Sequence, residues 1–125
     1  MQVSNADKMQ WGPFAEHRVG EILQKRLATG QDGQPDNFEF SLVFVPEAYS
    51  TPRHRHVFDQ IRFVRSGEFG YGNGKVQKAG EIAYFPEGIY YEQNANGKSE
   101  TLLLQFGGPT GWGFLTRANV LDSIA

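Results

Sequence analysis

Residues 54–67, HRHVFDQIRFVRSG, decide how the chain is read. His54 and His56 stand one residue apart, Gln60 follows, and Gly67 closes a run rich in β-forming side chains. In an extended strand residues i and i+2 share a face with Cα atoms roughly 6.5–7 Å apart, so two imidazoles converge on one point. That is a geometry for holding an ion. The rival reading is a pair of histidines flanked by Arg53 and Arg55 on a solvated face, and these residues alone leave both open. Arg62 lies two residues beyond Gln60 and shares its side of an unbroken strand, which would bring a planar cation suited to a carboxylate or phosphate near the histidines. After a local bulge it would instead be a surface arginine. Ile61 and Phe63, of opposite parity, then face outward as a patch for a second copy of the chain.

Working outward, residues 38–45 (FEFSLVFV) alternate Phe38, Phe40, Leu42 and Phe44 with Glu39, Ser41, Val43 and Val45. This period of two predicts a strand whose phenylalanine face is buried. Pro46 ends it and Pro52 precedes the histidines, so the segment between is a bend. Asn73-Gly74 suits a tight hairpin whose central residues need positive φ. Residues 81–85, 89–93 and 101–106 read as further strands, broken by Pro86-Glu87-Gly88 and by a polar turn at 94–98. Upstream, 29–37 (TGQDGQPDN) is loop by composition, and 19–28 reads as an edge strand blunted by Lys25 and Arg26. About eight short strands with no helix-period segment between them predict an all-β sandwich, barrel or jelly roll. After a glycine-rich exit at 107–113, Thr116 would cap a short C-terminal helical turn carrying Val120, Leu121 and Ile124. Phe40, Phe44, Phe58, Tyr71, Tyr84 and Phe106 are expected in the core or pocket wall, giving an aromatic cavity for a small organic molecule.

The 125 residues suit an N-terminal arm at 1–18, in which His17 receives no role, and a single domain at 19–125. A net charge of −2 and a pI near 5.9 offer no basic face to nucleic acid. No stretch approaches the roughly 20 apolar residues of a membrane span, and no basic-then-apolar leader opens the chain, so cytoplasm is the default expectation. The absence of cysteine excludes disulfides, thiolate metal sites and cysteine nucleophiles together.

Two motifs within residues 38–106 resemble those of the cupin superfamily, whose fold is a double-stranded β-helix or jelly-roll barrel. The first cupin motif runs His, one residue, His, three or four residues, Glu, six residues, Gly; here it reads His54, His56, Val57-Phe58-Asp59, Gln60, six residues, Gly67. The second runs Gly, five residues, Pro, one residue, Gly, two residues, His; here it reads Gly80, EIAYF, Pro86, Glu87, Gly88, Ile89-Tyr90, Tyr91. Spacing is kept in both. Residue type departs at Gln60 and Tyr91, and Ala48 stands where a glycine often opens the first motif.

The resemblance is to single-domain cupins of the quercetin-dioxygenase-like type. It implies a divalent transition metal ion (Fe, Mn, Ni, Co or Zn) held by His54, His56, Gln60 and Tyr91. Gln60 would bring a neutral oxygen, and Tyr91 an anion only if the ion stabilises its phenolate against a free pKa of about 10. A two-histidine, one-carboxylate set would need Asp59, Glu87 or Glu92 to turn inward, and Asp59 should point away from its neighbour Gln60. Read without the resemblance, Gln60 serves equally as a buried amide and Tyr91 as a core aromatic.

The leading functional expectation is a metal-binding cupin with a small-molecule pocket, a dioxygenase or isomerase in which Tyr91 and Arg62 flank the reacting group. A second is a metal-free epimerase or isomerase using a His/Tyr acid–base pair. A third is a non-catalytic ligand-binding or scaffold barrel. The expected partners are a small organic molecule carrying a carboxylate and a second copy of the chain.

Overall fold

The computed structural model describes residues 1–13, 22–51, 53–56, 58–72, 74–107 and 114–116, with the backbone alone at 13, 54 and 114–116. Its strands are β1 (Gly12–Pro13), β2 (Leu23–Thr29), β3 (Phe38–Val45), β4 (His54–His56), β5 (Asp59–Ser66), β6 (Glu68–Gly70), β7 (Val76–Lys78), β8 (Ile82–Phe85), β9 (Asn94–Ala95), β10 (Ser99–Phe106) and β11 (Phe114–Thr116). A six-stranded sheet runs β1-β2-β3-β10-β5-β8, a three-stranded one β7-β6-β9, and β11 pairs with β4. These pairings are antiparallel, and the expected all-β jelly roll is the fold that forms.

Register places inward-facing residues in rows across β3, β10, β5 and β8. Glu39, Gln105, Gln60 and Phe85 make one row, Ser41, Leu103, Arg62 and Ala83 the next, and Val43, Thr101 and Val64 a third. The barrel is therefore polar at the Gln60 end. It is apolar beyond, where Ile22, Val43, Val45, Tyr49, Phe69 and Leu103 form the core.

This reverses the expectation for β3. The face expected outside carries buried Glu39, Ser41, Val43 and Val45, while Phe38, Phe40 and Phe44 are half-buried on the other; Leu42, of the phenylalanine parity, is buried as expected. Both faces of the strand contain apolar side chains, and hydrophobic alternation alone does not choose between them. Tyr84 and Phe106 are likewise exposed, at 62% and 45%, and belong to no core.

The first residues of the chain lie over the outer face at β2. Gln2 Nε2 donates to Thr29 O at 2.8 Å and Lys25 Nζ to Ala6 O at 2.6 Å, with the Lys25 ammonium 4.5 Å from the centre of the Trp11 ring. β2 is thus flanked by β1 and β3 rather than lying at an edge, and buried Lys25 clamps the arm instead of blunting a strand. Residues 89–93, expected as a strand, form no continuous one, and pairing resumes at β9. Phe114–Thr116 forms a strand against β4, with Thr116 opposite His54. His17, Asn73, the glycine-rich exit over 108–113 and the helical turn expected around Val120, Leu121 and Ile124 lie outside the described residues.

Candidate functional site

The two motifs are stitched together by their backbones. Gly88, at φ +83°, donates its N–H to His56 O at 3.1 Å, and Ile89 N–H donates to Pro86 O at 3.3 Å. Asp59 turns away from Gln60, as strand alternation requires, and its Oδ1 accepts the Glu87 N–H at 2.8 Å. The same carboxylate acts on exposed Tyr84, whose hydroxyl is pushed above its ordinary pKa by desolvation first and by Asp59 second. The turn so fixed sets where Tyr91 meets β5. Asp59→Ala is expected to lower stability by about 1 kcal/mol by removing the cap on Glu87 N–H. Urea unfolding measures this, and an unchanged midpoint would mean that the Gly88–His56 bond holds the turn unaided.

Arg62 lies at the centre of the site. Its inward placement agrees with the reading of β5 as unbroken past Gln60, since the register with β10 shifts only beyond Val64, and it is 7% exposed. Arg62 Nε donates to Gln60 Oε1 at 2.8 Å and Nη2 to the Tyr91 hydroxyl at 2.8 Å. The Tyr91 hydroxyl also reaches Gln60 Oε1 at 3.4 Å. The Gln93 amide satisfies its neighbours when its oxygen faces the guanidinium, accepting from Nη1 and Nη2 at 2.6 Å each, while its nitrogen donates to the Tyr49 hydroxyl at 3.2 Å. The guanidinium carbon lies 5.1 Å from the centre of the Phe85 ring, 5.3 Å from Tyr91 and 5.9 Å from Tyr71, within cation–π range. Burial works to lower its pKa, but Tyr91, Tyr71 and Tyr49 outweigh that and hold it above the ordinary arginine value. The group stays cationic.

His56 is buried, stacked on Phe58 at 4.8 Å between ring centres and tilted against Tyr91 at 5.8 Å. His54 precedes it by two residues on β4, and its side chain lies outside the described residues. The structure thus gathers Gln60, Arg62 and Tyr91 into one hydrogen-bonded cluster with His56 beside it.

Space lies on two sides of this cluster. A cavity of about 30 Å³, near the size of one water, is lined by Arg62, Gln93, Tyr49 and Thr101 together with core side chains. On the other side an open cleft of about 490 Å³ is walled by Tyr71, Phe85, Tyr90 and Tyr91, with Arg53 and Lys75 balanced by Glu81 and Glu92. The cleft has the size of a small-molecule pocket.

As they are bonded, Gln60 and Tyr91 do not fit a divalent ion; the His54 side chain lies outside the described residues. Two of the four oxygen and nitrogen positions of the implied set, Gln60 Oε1 and the Tyr91 hydroxyl, are already bonded to a guanidinium that keeps its proton. An ion bonded to both oxygens would lie against that fixed positive charge, and only a Tyr91 phenolate would offset the repulsion. Among the described residues no group of three or more His, Asp or Glu side chains is arranged to hold a metal.

Three contributors were not singled out by the sequence reading. Gln93 follows Tyr91 by two residues, so an extended segment puts both on one side, a signal present in the spacing. Tyr49 sits in the bend after β3, where no periodicity marks it. Gln77 supports the cluster from behind, donating to Arg62 O and to Glu81 O at 2.9 Å each and accepting from the Tyr71 hydroxyl at 2.8 Å.

No protein-family profile and no curated protein matches the chain. Solved structures do. The polyketide cyclase RemF from Streptomyces resistomycificus superposes with a TM-score of 0.74 at 18% identity, covering 100% of this chain and 94% of that one. An RmlC-like cupin from Ralstonia eutropha gives 0.69 at 17% identity over 95% and 81%. KdgF from Halomonas sp. gives 0.67 at 20% identity over 85% and 94%. At such identities the likeness is one of fold.

Proposed function

We propose, for a chain that is a single-domain cupin in fold, that it binds a small carbonyl compound in the cleft before Tyr91 and moves a proton on it, as an isomerase or epimerase working without a divalent ion. The observation that carries this reading is Tyr91, which lines the cleft and whose hydroxyl is bonded to Arg62 Nη2 at 2.8 Å. A guanidinium beside a phenol favours the phenolate, so Tyr91 delivers its proton to a carbonyl oxygen and the charge left behind is held by Arg62. His56, stacked beside Tyr91, takes the proton from the neighbouring carbon. Protonation of the enol on its opposite face, or of the enediol at its other carbon, with Tyr91 recovering a proton from oxygen, gives the epimer or isomer. No proton is gained or lost overall. His54 shares β4 with His56 and is the alternative base. The ligation of Fe, Mn, Ni, Co or Zn by His54, His56, Gln60 and Tyr91, implied by the resemblance, has no part in this reading.

The test is solvent exchange. Protein incubated in D₂O with 2-oxo acids and ketoses is expected to place deuterium at the carbon beside the carbonyl of one class, followed by proton NMR. A panel without exchange would return the barrel to the non-catalytic, ligand-binding reading.

A further inference from the structure

β8 ends the six-stranded sheet, and among the described residues no strand pairs with its far side. Which of its backbone groups meet that open edge follows from the turn before it. Gly80, at φ +88°, donates its N–H to Val64 O at 2.8 Å, and Val64 N–H donates to Glu81 O at 3.1 Å, so Gly80 and Glu81 together face Val64 in a bulge. With Glu81 bonded to Val64, the alternation of an antiparallel ladder makes Ala83 with Arg62 and Phe85 with Gln60 the hydrogen-bonded pairs. The N–H and C=O groups of Ile82 and Tyr84 therefore point away from β5. The side chains of the same two residues are 69% and 62% exposed. Edges are ordinarily blunted by a charge, a proline or a covering segment. Ile82–Phe85 (IAYF) has neither charge nor proline, and its outward side chains are uncovered.

We propose that the chain pairs with a second copy of itself through β8, joining the two six-stranded sheets into one continuous sheet across a twofold axis at Ala83. The edge is self-complementary in that register. A second β8 laid antiparallel, with the two Ala83 residues opposite each other, brings Ile82 against the partner's Tyr84 and Tyr84 against the partner's Ile82. Each open N–H then meets an open C=O, and an aliphatic side chain packs on an aromatic ring on either side of the axis. Pro86 has no N–H to offer and stops the ladder there. The second copy, expected on the face of Ile61 and Phe63, docks instead one strand farther out, where the backbone is open. Ile82, Ala83 and Phe85 also line the cleft, so the added strand forms part of its rim.

The chain has no cysteine, so Ala83→Cys introduces a single thiol at the axis. Residues facing each other in a non-hydrogen-bonded antiparallel pair lie about 4.5 Å apart between Cα atoms, inside the roughly 4.4–6.8 Å that a disulfide spans. Mild oxidation with copper phenanthroline is expected to link most Ala83→Cys chains in pairs on a non-reducing gel and to leave Val76→Cys, exposed on β7, unlinked. Sedimentation of the unmodified chain is expected to give twice 14.0 kDa. Tyr84→Pro removes an outward N–H without touching the bonds to β5 and should return the mass to that of one chain, as should Ile82→Lys, which puts a charge on the edge. Phe106→Ser, on the outer face of β10, should leave the dimer intact. If Tyr84→Pro fails to fold, Ile82→Lys and the cross-link decide. A single-chain mass at every concentration overturns the proposal and leaves β8 open to an extended peptide. A dimer that survives Ile82→Lys, is lost in Phe106→Ser and forms no cross-link at Ala83→Cys overturns it in favour of packing between sheet faces.

Discussion

Gly67→Ala is expected to lower stability by about 3 kcal/mol or more, enough to bring a domain of ordinary marginal stability close to unfolding. Gly67 sits at φ +73°, where an L side chain costs roughly 1–2 kcal/mol. A Cβ built there would also come within 2.2 Å of Lys98 O and 3.0 Å of Ser99 Cα. Both obstacles are backbone atoms at the entry to β10, the strand between β3 and β5, so relief requires the sheet itself to move. The Gly67 carbonyl meanwhile accepts the Ala79 N–H at 3.0 Å, which holds this turn on its other side. Gly80→Ala is the control. It has φ +88° but nothing within 4 Å of the added carbon, and is expected to cost only about 1 kcal/mol. Thermal and urea unfolding of the pair measures the difference, and similar losses for both would show that the approach to Lys98 is relieved cheaply.

Tyr91→Phe should retain the fold and reduce deuterium exchange by about a hundredfold or more. The substitution removes one acceptor from Arg62 Nη2 and one contact to Gln60 Oε1 but keeps the ring against Phe85 at 5.0 Å and His56 at 5.8 Å. A stability loss of about 1–2 kcal/mol accompanies the lost hydrogen bond. Gln93→Ala separates the structural from the chemical part, since it also removes an acceptor from the guanidinium but carries no transferable proton. It is expected to destabilise comparably while sparing most of the exchange. Equal exchange losses in the two variants would assign Tyr91 a positioning role only. Arg62 is held cationic above the ordinary arginine range, so exchange should not fall in alkaline solution through loss of its charge.

How far the sequence carries the fold is best judged strand by strand. On β5 the motif fixes parity: Gln60 faces in, so Arg62 faces in, and Ile61 and Phe63 face out. The same parity passes through the register Arg62↔Leu103↔Ser41, which puts Glu39 and Ser41 inside β3 and its phenylalanines outside. Reading β3 by hydrophobicity instead inverted it, because this sheet is apolar on its outer surface as well as in its core. Lys25 misled for a related reason, since a charge in a strand signals an edge only when no other segment covers it, and here Ala6 and Trp11 do. That Gln60 and Tyr91 come together was legible in two spacings. The electrostatics of the site were not, because whether Arg62 points at a ligand or bonds the motif residues themselves depends on side-chain reach across the barrel, which strand parity does not encode.

The most direct measurement is diffraction from crystals grown with Zn²⁺ and recorded across the zinc absorption edge. The expected map has no anomalous peak within bonding distance of Gln60 Oε1 and the Tyr91 hydroxyl, and the Arg62 guanidinium bonded to both at about 2.8 Å. A fully occupied zinc on His54, His56, Gln60 and Tyr91, with Arg62 turned away, would contradict it.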